Sequence, residues 1–144
     1  MPELYRHTQT GWAIIILADI AAAVALYFAI TTGDPGAIAG FLILMTITVL
    51  FSSLTIIGTH ELLEIRFGIG LIRKRFRLSD ILTAQAYRTS FWQGWGIRYC
   101  ADGLLFNVSG YDAVRITMTN GKQYLIGTDE PRKLLNFLER SRRP

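Results

Sequence analysis

The chain has 144 residues, of which 51% are hydrophobic and 18% charged, and its formal net charge is +4. That length allows one ordinary domain, or a smaller domain with an anchor. High hydrophobicity with little charge excludes a disordered chain, and its coexistence with a basic balance indicates two unlike halves.

Residues 1–11 read as an N-terminal arm with Arg6 as its one Lys or Arg. Two apolar stretches follow: 12–31 holds a single charged residue, Asp19, and 37–58 holds none. About 20 apolar residues cross a hydrocarbon core about 30 Å thick, so both stretches are expected to be transmembrane helices, and 12–58 a transmembrane hairpin. A cleaved signal peptide fits less well, because the apolar run continues past Ala21–Ala23 through Leu26, Phe28 and Ile30. Trp12 at one end, and Tyr27 and Phe28 near the other, occupy positions typical of interfacial aromatic belts.

The Thr32–Gly36 connection has no cation, whereas Arg66, Arg73, Lys74, Arg75 and Arg77 follow the second stretch closely. By the positive-inside rule, both termini and the segment 59–144 are expected on the cytoplasmic side of an inner membrane, with the chain crossing twice. The single cysteine, Cys100, suits a reducing compartment and reads as a small strand residue. The triplet Asn107-Val108-Ser109 is irrelevant to glycosylation on that side.

Within the hairpin, Asp19 stands out, since a carboxyl at membrane depth usually faces a polar partner or water. It lies about 10 Å along the helix from Trp12. Thr48, Ser52 and Thr55 share a helical face at a comparable depth, so Asp19 is expected to bond this hydroxyl face, within one chain or between chains. Gly36 and Gly40 form one GxxxG, which fits packing inside the hairpin and an oligomer contact equally.

Segment 59–144 carries 14 of the 15 Lys and Arg but 8 of the 11 Asp and Glu, a net charge of +6. Here the pattern changes to alternation, predicting strands over 61–67, 70–77, 82–88, 95–100, 104–109, 113–119 and 122–127. Asn120-Gly121 predicts a two-residue hairpin turn pairing Thr119 with Lys122. In that register Val114, Ile116, Met118 and Leu125 face the core while Tyr124 faces outward. A helix follows, capped by Thr128 or Asp129, tolerant of Pro131 in its first turn, apolar along Leu134, Leu135, Phe137 and Leu138, and ending in Arg140, Arg142 and Arg143.

Seven strands and a helix in this order suggest an α+β membrane protein: a two-helix hairpin followed by a seven-stranded antiparallel β-barrel or sandwich capped by a C-terminal helix. The chain also resembles the small bacterial membrane proteins with a pleckstrin-homology-like (PH-like) domain. The resemblance rests on Leu78-Ser79-Asp80-Ile81, Gly94-Trp95-Gly96-Ile97-Arg98-Tyr99, Asn107-Val108-Ser109-Gly110, and Asn120-Gly121-Lys122 leading to Ile126-Gly127-Thr128-Asp129-Glu130-Pro131. It implies the PH-like fold for 59–144; fold alone does not fix an activity.

No catalytic, cofactor or metal residues are expected: the two histidines, His7 and His60, flank the apolar stretches, and no HExxH, CxxC pair, GxSxG or P-loop is present. The basic cluster Arg73, Lys74, Arg75 and Arg77 is a candidate contact for anionic lipid. The short, uncharged Gly68-Ile69 turn differs from the long basic loop of lipid-binding eukaryotic PH domains, so specific phosphoinositide recognition does not carry over. Phe91, Trp92 and Trp95, with Arg88 and Arg98 beside them, are a candidate protein interface. Nucleic acid is not expected, because no recognition-helix or RNA-binding aromatic pattern accompanies the cations. The expected function is a membrane-anchored interaction or scaffold protein that binds another protein or self-assembles at the cytoplasmic face of the membrane. The alternative is a module for anionic-lipid head groups at the inner leaflet.

Overall fold

The protein, seen in a computed structural model that describes residues 2–143, opens with a strand where a free arm was expected. Strand β1 (Tyr5–Thr10) leads through Gly11 into helix α1 (Trp12–Thr32); α2 (Pro35–Phe51) returns, and Ser52 leads into β2 (Ser53–Gly58). β1 and β2 are antiparallel neighbours, from Tyr5 opposite Gly58 to Thr10 opposite Ser53. The two apolar helices are therefore the loop of a β-hairpin.

α1 has 21 residues, about 31 Å of helix, and is the one helix among the described residues long and apolar enough to cross a membrane. α2 has 17 residues, about 26 Å, and packs against α1. The turn between them is built from polar caps: Gly33 adopts the left-handed conformation and donates its N–H to Ala29, and Asp34 Oδ1 accepts from Gly36 N at 3.2 Å. The expected second span over 37–58 is thus too long. Residues 53–58 are Ser-Leu-Thr-Ile-Ile-Gly, rich in β-branched side chains, and with β1 on one side and β3 on the other they gain ladder bonds that a helix could not make with either neighbour.

Seven further strands occupy the regions where alternation predicted them: β3 (Leu62–Phe67), β4 (Ile72–Arg77), β5 (Ile81–Arg88), β6 (Gly96–Cys100), β7 (Gly103–Asn107), β8 (Asp112–Met118) and β9 (Gln123–Gly127). With β1 and β2 they form two sheets, ordered β1-β2-β3-β4 and β5-β8-β9-β7-β6. The sheets stay separate and do not close into a barrel. The second is mixed, since β7 and β9 pair in parallel, where an antiparallel arrangement was expected. Helix α3 (Pro131–Arg142) starts at Pro131, with Glu130 in the N-cap position and no side-chain cap; Thr128 Oγ1 accepts from Glu130 N at 3.1 Å.

The β8–β9 turn departs from expectation by one residue. Gly121 N–H donates to Met118 O and Met118 N–H to Lys122 O, and Gly121 takes φ +86°. Thr119-Asn120-Gly121 is thus a three-residue loop with glycine in the left-handed position. The slip pairs Ile116 with Tyr124 and Val114 with Ile126, so Tyr124 joins the core face and Leu125 the other.

The main core lies where the inner faces of both sheets meet α3. Leu54, Ile56, Leu63, Ile65 and Phe67 from the first sheet pack with Phe106, Val114, Ile116 and Ile126 from the second and with Leu134 and Leu138 of α3. Hydrophobic burial of this kind, about 25 cal/mol per Å² of apolar surface, is what makes the β-hairpin a firm base for α1 and α2.

Candidate functional site

The end of the β-domain nearest the helices carries two exposed apolar loops, one against each helix. The β3–β4 turn presents Ile69 and Leu71, 68% and 74% exposed. Its Gly68 sits under the last turn of α2, where a β-carbon would collide with the carbonyl oxygens of Val49 and Leu50.

The second loop, Ser90–Trp95, follows β5. A capping box makes it rigid: Ser90 accepts from the backbone N–H of Gln93, whose side chain accepts from Ser90 N at 2.7 Å. Gln93 also donates to the hydroxyl of Tyr87 at 3.4 Å. That hydroxyl donates to Asp102, which raises the phenol's pKa, with the Gln93 bond opposing. Trp95 Nε1 donates to Gly110 O at 3.2 Å and its ring lies 6.3 Å from that of Tyr111. Trp95 is therefore a half-buried prop of the loop, whereas Phe91 and Trp92 are 62% and 87% exposed and meet edge to face at 5.7 Å.

Phe91, Trp92 and Trp95 line a groove of about 520 Å³ whose opposite wall is Ile14, Leu17 and Ala18 of α1. Arg98 closes its rim, the guanidinium filling the space that Gly94 leaves without a side chain. Arg88 points elsewhere, toward Asp112 at 3.8 Å. The expected interface cluster is thus divided: four of its five residues share one groove, and Arg88 does not.

The expected basic cluster is divided further. Arg75 and Arg66 both bind Glu64. Burial pushes the Glu64 pKa up, but the hydrogen bonds and charges of the two guanidinia outweigh it and hold the carboxyl below its usual range. Arg73 donates to Gly70 O. Lys74 lies on the opposite face, its Nζ 5.9 Å from the Phe76 ring and 5.7 Å from that of Tyr124. Arg77 is at the far end of β4, lining an open cavity with His60 and Arg142. The four cations thus run along a strand and do not converge on one pocket.

Of the expected hydroxyl face, Thr48 alone meets Asp19, donating to Oδ1 at 3.0 Å. Ser52 is the α2–β2 junction and donates to Val49 O at 3.2 Å; Thr55 is in β2, hydrogen-bonded to Thr8 Oγ1 at 2.9 Å. The helix that would have aligned all three ends at Phe51.

One arrangement has no counterpart among the expectations. His7 stands between two carboxylates, Nε2 on Asp129 and Nδ1 on Glu130 Oε2 at 3.2 Å, tying β1 to the start of α3. Nothing in the sequence relates His7 to residues so distant in the chain. Among the described residues no group of three or more His, Cys, Asp or Glu is placed to hold a metal ion.

No protein-family model, curated protein or solved structure matches the chain.

Proposed function

We propose that the chain is a membrane-anchored interaction protein: α1 and α2 enter the bilayer together, and the two-sheet domain, PH-like in its element order, docks a protein partner at the cytoplasmic face. No catalytic step belongs to this reading. Support for the anchor comes from the apolar length of α1, the polar caps at the far turn and the basic residues that follow β2.

The observation that carries the docking role is the state of the sheet edges. β1 is held to α3 by the Tyr5–Phe137 stack at 5.5 Å and by His7. β5 has Arg142 of α3 on its Leu82 carbonyl. β4 is lined with cations, which discourage strand pairing. β6, at the outer edge of the second sheet, carries a single cation, Arg98, between an exposed Ile97 and a Tyr99 that is 91% exposed. An extended partner segment can add to this edge, with its main chain supplying affinity and pockets between side chains supplying specificity. The net charge of +6 beyond residue 58 favours an acidic segment.

The test is native mass spectrometry of the full chain extracted from membranes with its lipid shell, for wild type and Tyr99→Lys. Loss of a bound protein, or of a second copy of the chain, in the variant is expected. Unchanged association would overturn β6 as the docking edge.

A further inference from the structure

We propose that the groove between α1 and the Ser90–Trp95 loop binds a phospholipid of the membrane that holds the hairpin, with Phe91 and Trp92 among the upper acyl carbons and Arg98 on the headgroup phosphate. This rests on the reading of α1 as a membrane span. The wall opposite the aromatics is Ile14, Leu17 and Ala18, in the first two turns of α1, the helix that among the described residues is long and apolar enough to cross a bilayer. Ala18 lies six residues beyond Trp12, about 9 Å along the axis, so the groove reaches the level at which headgroups give way to hydrocarbon.

The loop cannot swing clear of that level. Its capping box and the Trp95–Gly110 bond fix it to the β-domain, and the domain joins α1 through Gly11 alone, whose N–H bonds Ser52 O at 2.7 Å. A Trp side chain 87% exposed in water is an unfavourable surface; at a bilayer boundary it is the favoured one, because its apolar ring and N–H suit the two sides. Arg98 adds the polar half of an amphipathic ligand site: a planar donor fork at the groove rim, on the side of the domain and away from the hairpin turn. Ile69 and Leu71 beside α2 extend the same apolar level to the second helix, which a soluble partner confined to the α1 groove would leave uncovered.

Trp12, Trp92 and Trp95 are the only tryptophans, which makes depth measurable. The full chain is reconstituted into vesicles of phosphatidylcholine and phosphatidylglycerol whose acyl chains carry bromine near the headgroup end. One variant keeps Trp12 alone (Trp92→Phe with Trp95→Phe); a second keeps Trp92 alone (Trp12→Phe with Trp95→Phe). Trp12 reports whether α1 is inserted, and Trp92 reports the loop. Loss of most of the emission in both supports the proposal. Quenching of Trp12 with an unquenched Trp92 overturns it while leaving the membrane anchor standing, and quenching of neither overturns the anchor and the proposal together. Because Trp95→Phe removes the bond to Gly110, Trp92→Phe alone is compared with wild type, and the proposal requires that it remove a bromine-sensitive component. Arg98→Gln placed in the chain that keeps Trp92 alone should weaken Trp92 quenching, because it removes the donor fork from the headgroup phosphate; unchanged quenching overturns the role given to Arg98.

Discussion

The backbone N–H of Gly11 donates to the carbonyl of Ser52 at 2.7 Å, adding one more rung to the β1–β2 ladder at the base of the helical hairpin. With one residue on each side, α1 and α2 grow out of the sheet without a linker. Gly11 is required for closeness: a β-carbon there would lie 2.6 Å from Phe51 O and 3.0 Å from Val108 Cβ. Gly11→Val is therefore expected to destabilise the protein by about 2 kcal/mol, the scale of overpacking in a filled interior. Chemical denaturation of the full chain in detergent, followed by circular dichroism, measures it.

All seven strands expected beyond residue 58 are present, because each is bounded by residues such as Gly68, Gly103 and Gly121 that give the chain a place to turn. β1 and β2 were hidden for opposite reasons. Tyr-Arg-His-Thr-Gln-Thr has no apolar alternation, and its inward side chains are Tyr5, His7 and Gln9. Ser53–Gly58 is so apolar that it reads as the end of the helix before it, and only β1 and β3, one on each side, decide between the two states. The groove was half legible. Phe91, Trp92, Trp95 and Arg98 lie close together in the chain, whereas Ile14, Leu17 and Ala18 reach them only through the β1–β2 pairing that sets the base of α1.

Glu64 should make the protein sensitive to acid. Its folded-state pKa is held below the ordinary value of 4.5, so its contribution is complete above that value and is lost as pH falls toward the lowered one. Glu64→Gln is expected to cost about 1 kcal/mol at neutral pH, by leaving Arg66 and Arg75 without their shared partner. Thermal midpoints of wild type and variant measured down the pH scale should converge in acid; a constant difference would assign the loss to packing.

Tyr5 acts at the other end of the scale. Burial, then the charges of Glu130 and Asp129, push its phenol up to about 12, and its hydroxyl is buried without a hydrogen-bond partner. A raised phenol favours the neutral folded form, so this stability is present below the ordinary value of 10.0 and declines as pH rises through it toward 12. Tyr5→Phe keeps the stack on Phe137 and removes the orphaned hydroxyl. It is expected to be neutral or stabilising by up to about 1 kcal/mol, and to flatten the alkaline decline. Ultraviolet titration should lose one late-titrating tyrosine of the six.

Asp19 and Thr48 join α1 to α2 by a single side-chain bond of 3.0 Å. In a bilayer such bonds contribute about 0.6 kcal/mol on average, and up to about 1.7. Asp19→Asn keeps an acceptor oxygen and is expected to hold the hairpin nearly as well, whereas Thr48→Val removes the donor and should weaken it by that amount. Unfolding in bicelles measures both. A much larger loss for Asp19→Asn than for Thr48→Val would mean that the charge of Asp19, and not its hydrogen bond, is what the hairpin requires.

Asn107 determines whether the aromatic loop is held in place. It is fully buried; its Oδ1 accepts from Val108 N at 2.9 Å and Ser109 N at 3.3 Å, and its Nδ2 donates to Gly110 O at 3.1 Å. The same Gly110 carbonyl receives Trp95 Nε1, and the neighbouring Ser109 carbonyl receives Gln9 Nε2 at 3.0 Å. One side chain thus shapes the turn on which both the loop and β1 rest. Asn107→Ala leaves buried N–H groups unpaired and is expected to cost about 2 kcal/mol. Asn107→Asp retains the acceptor for Val108 and Ser109 but turns a carboxylate oxygen, in place of the Nδ2 donor, onto the Gly110 carbonyl at a fully buried position, so it should push away the carbonyl shared with Trp95 and destabilise the turn as well. The near-ultraviolet circular dichroism of the Trp92-bearing loop reads this: the signal and the global unfolding midpoint should fall in both variants, and an unchanged midpoint in Asn107→Asp would mean that the donation to Gly110 does not hold the turn.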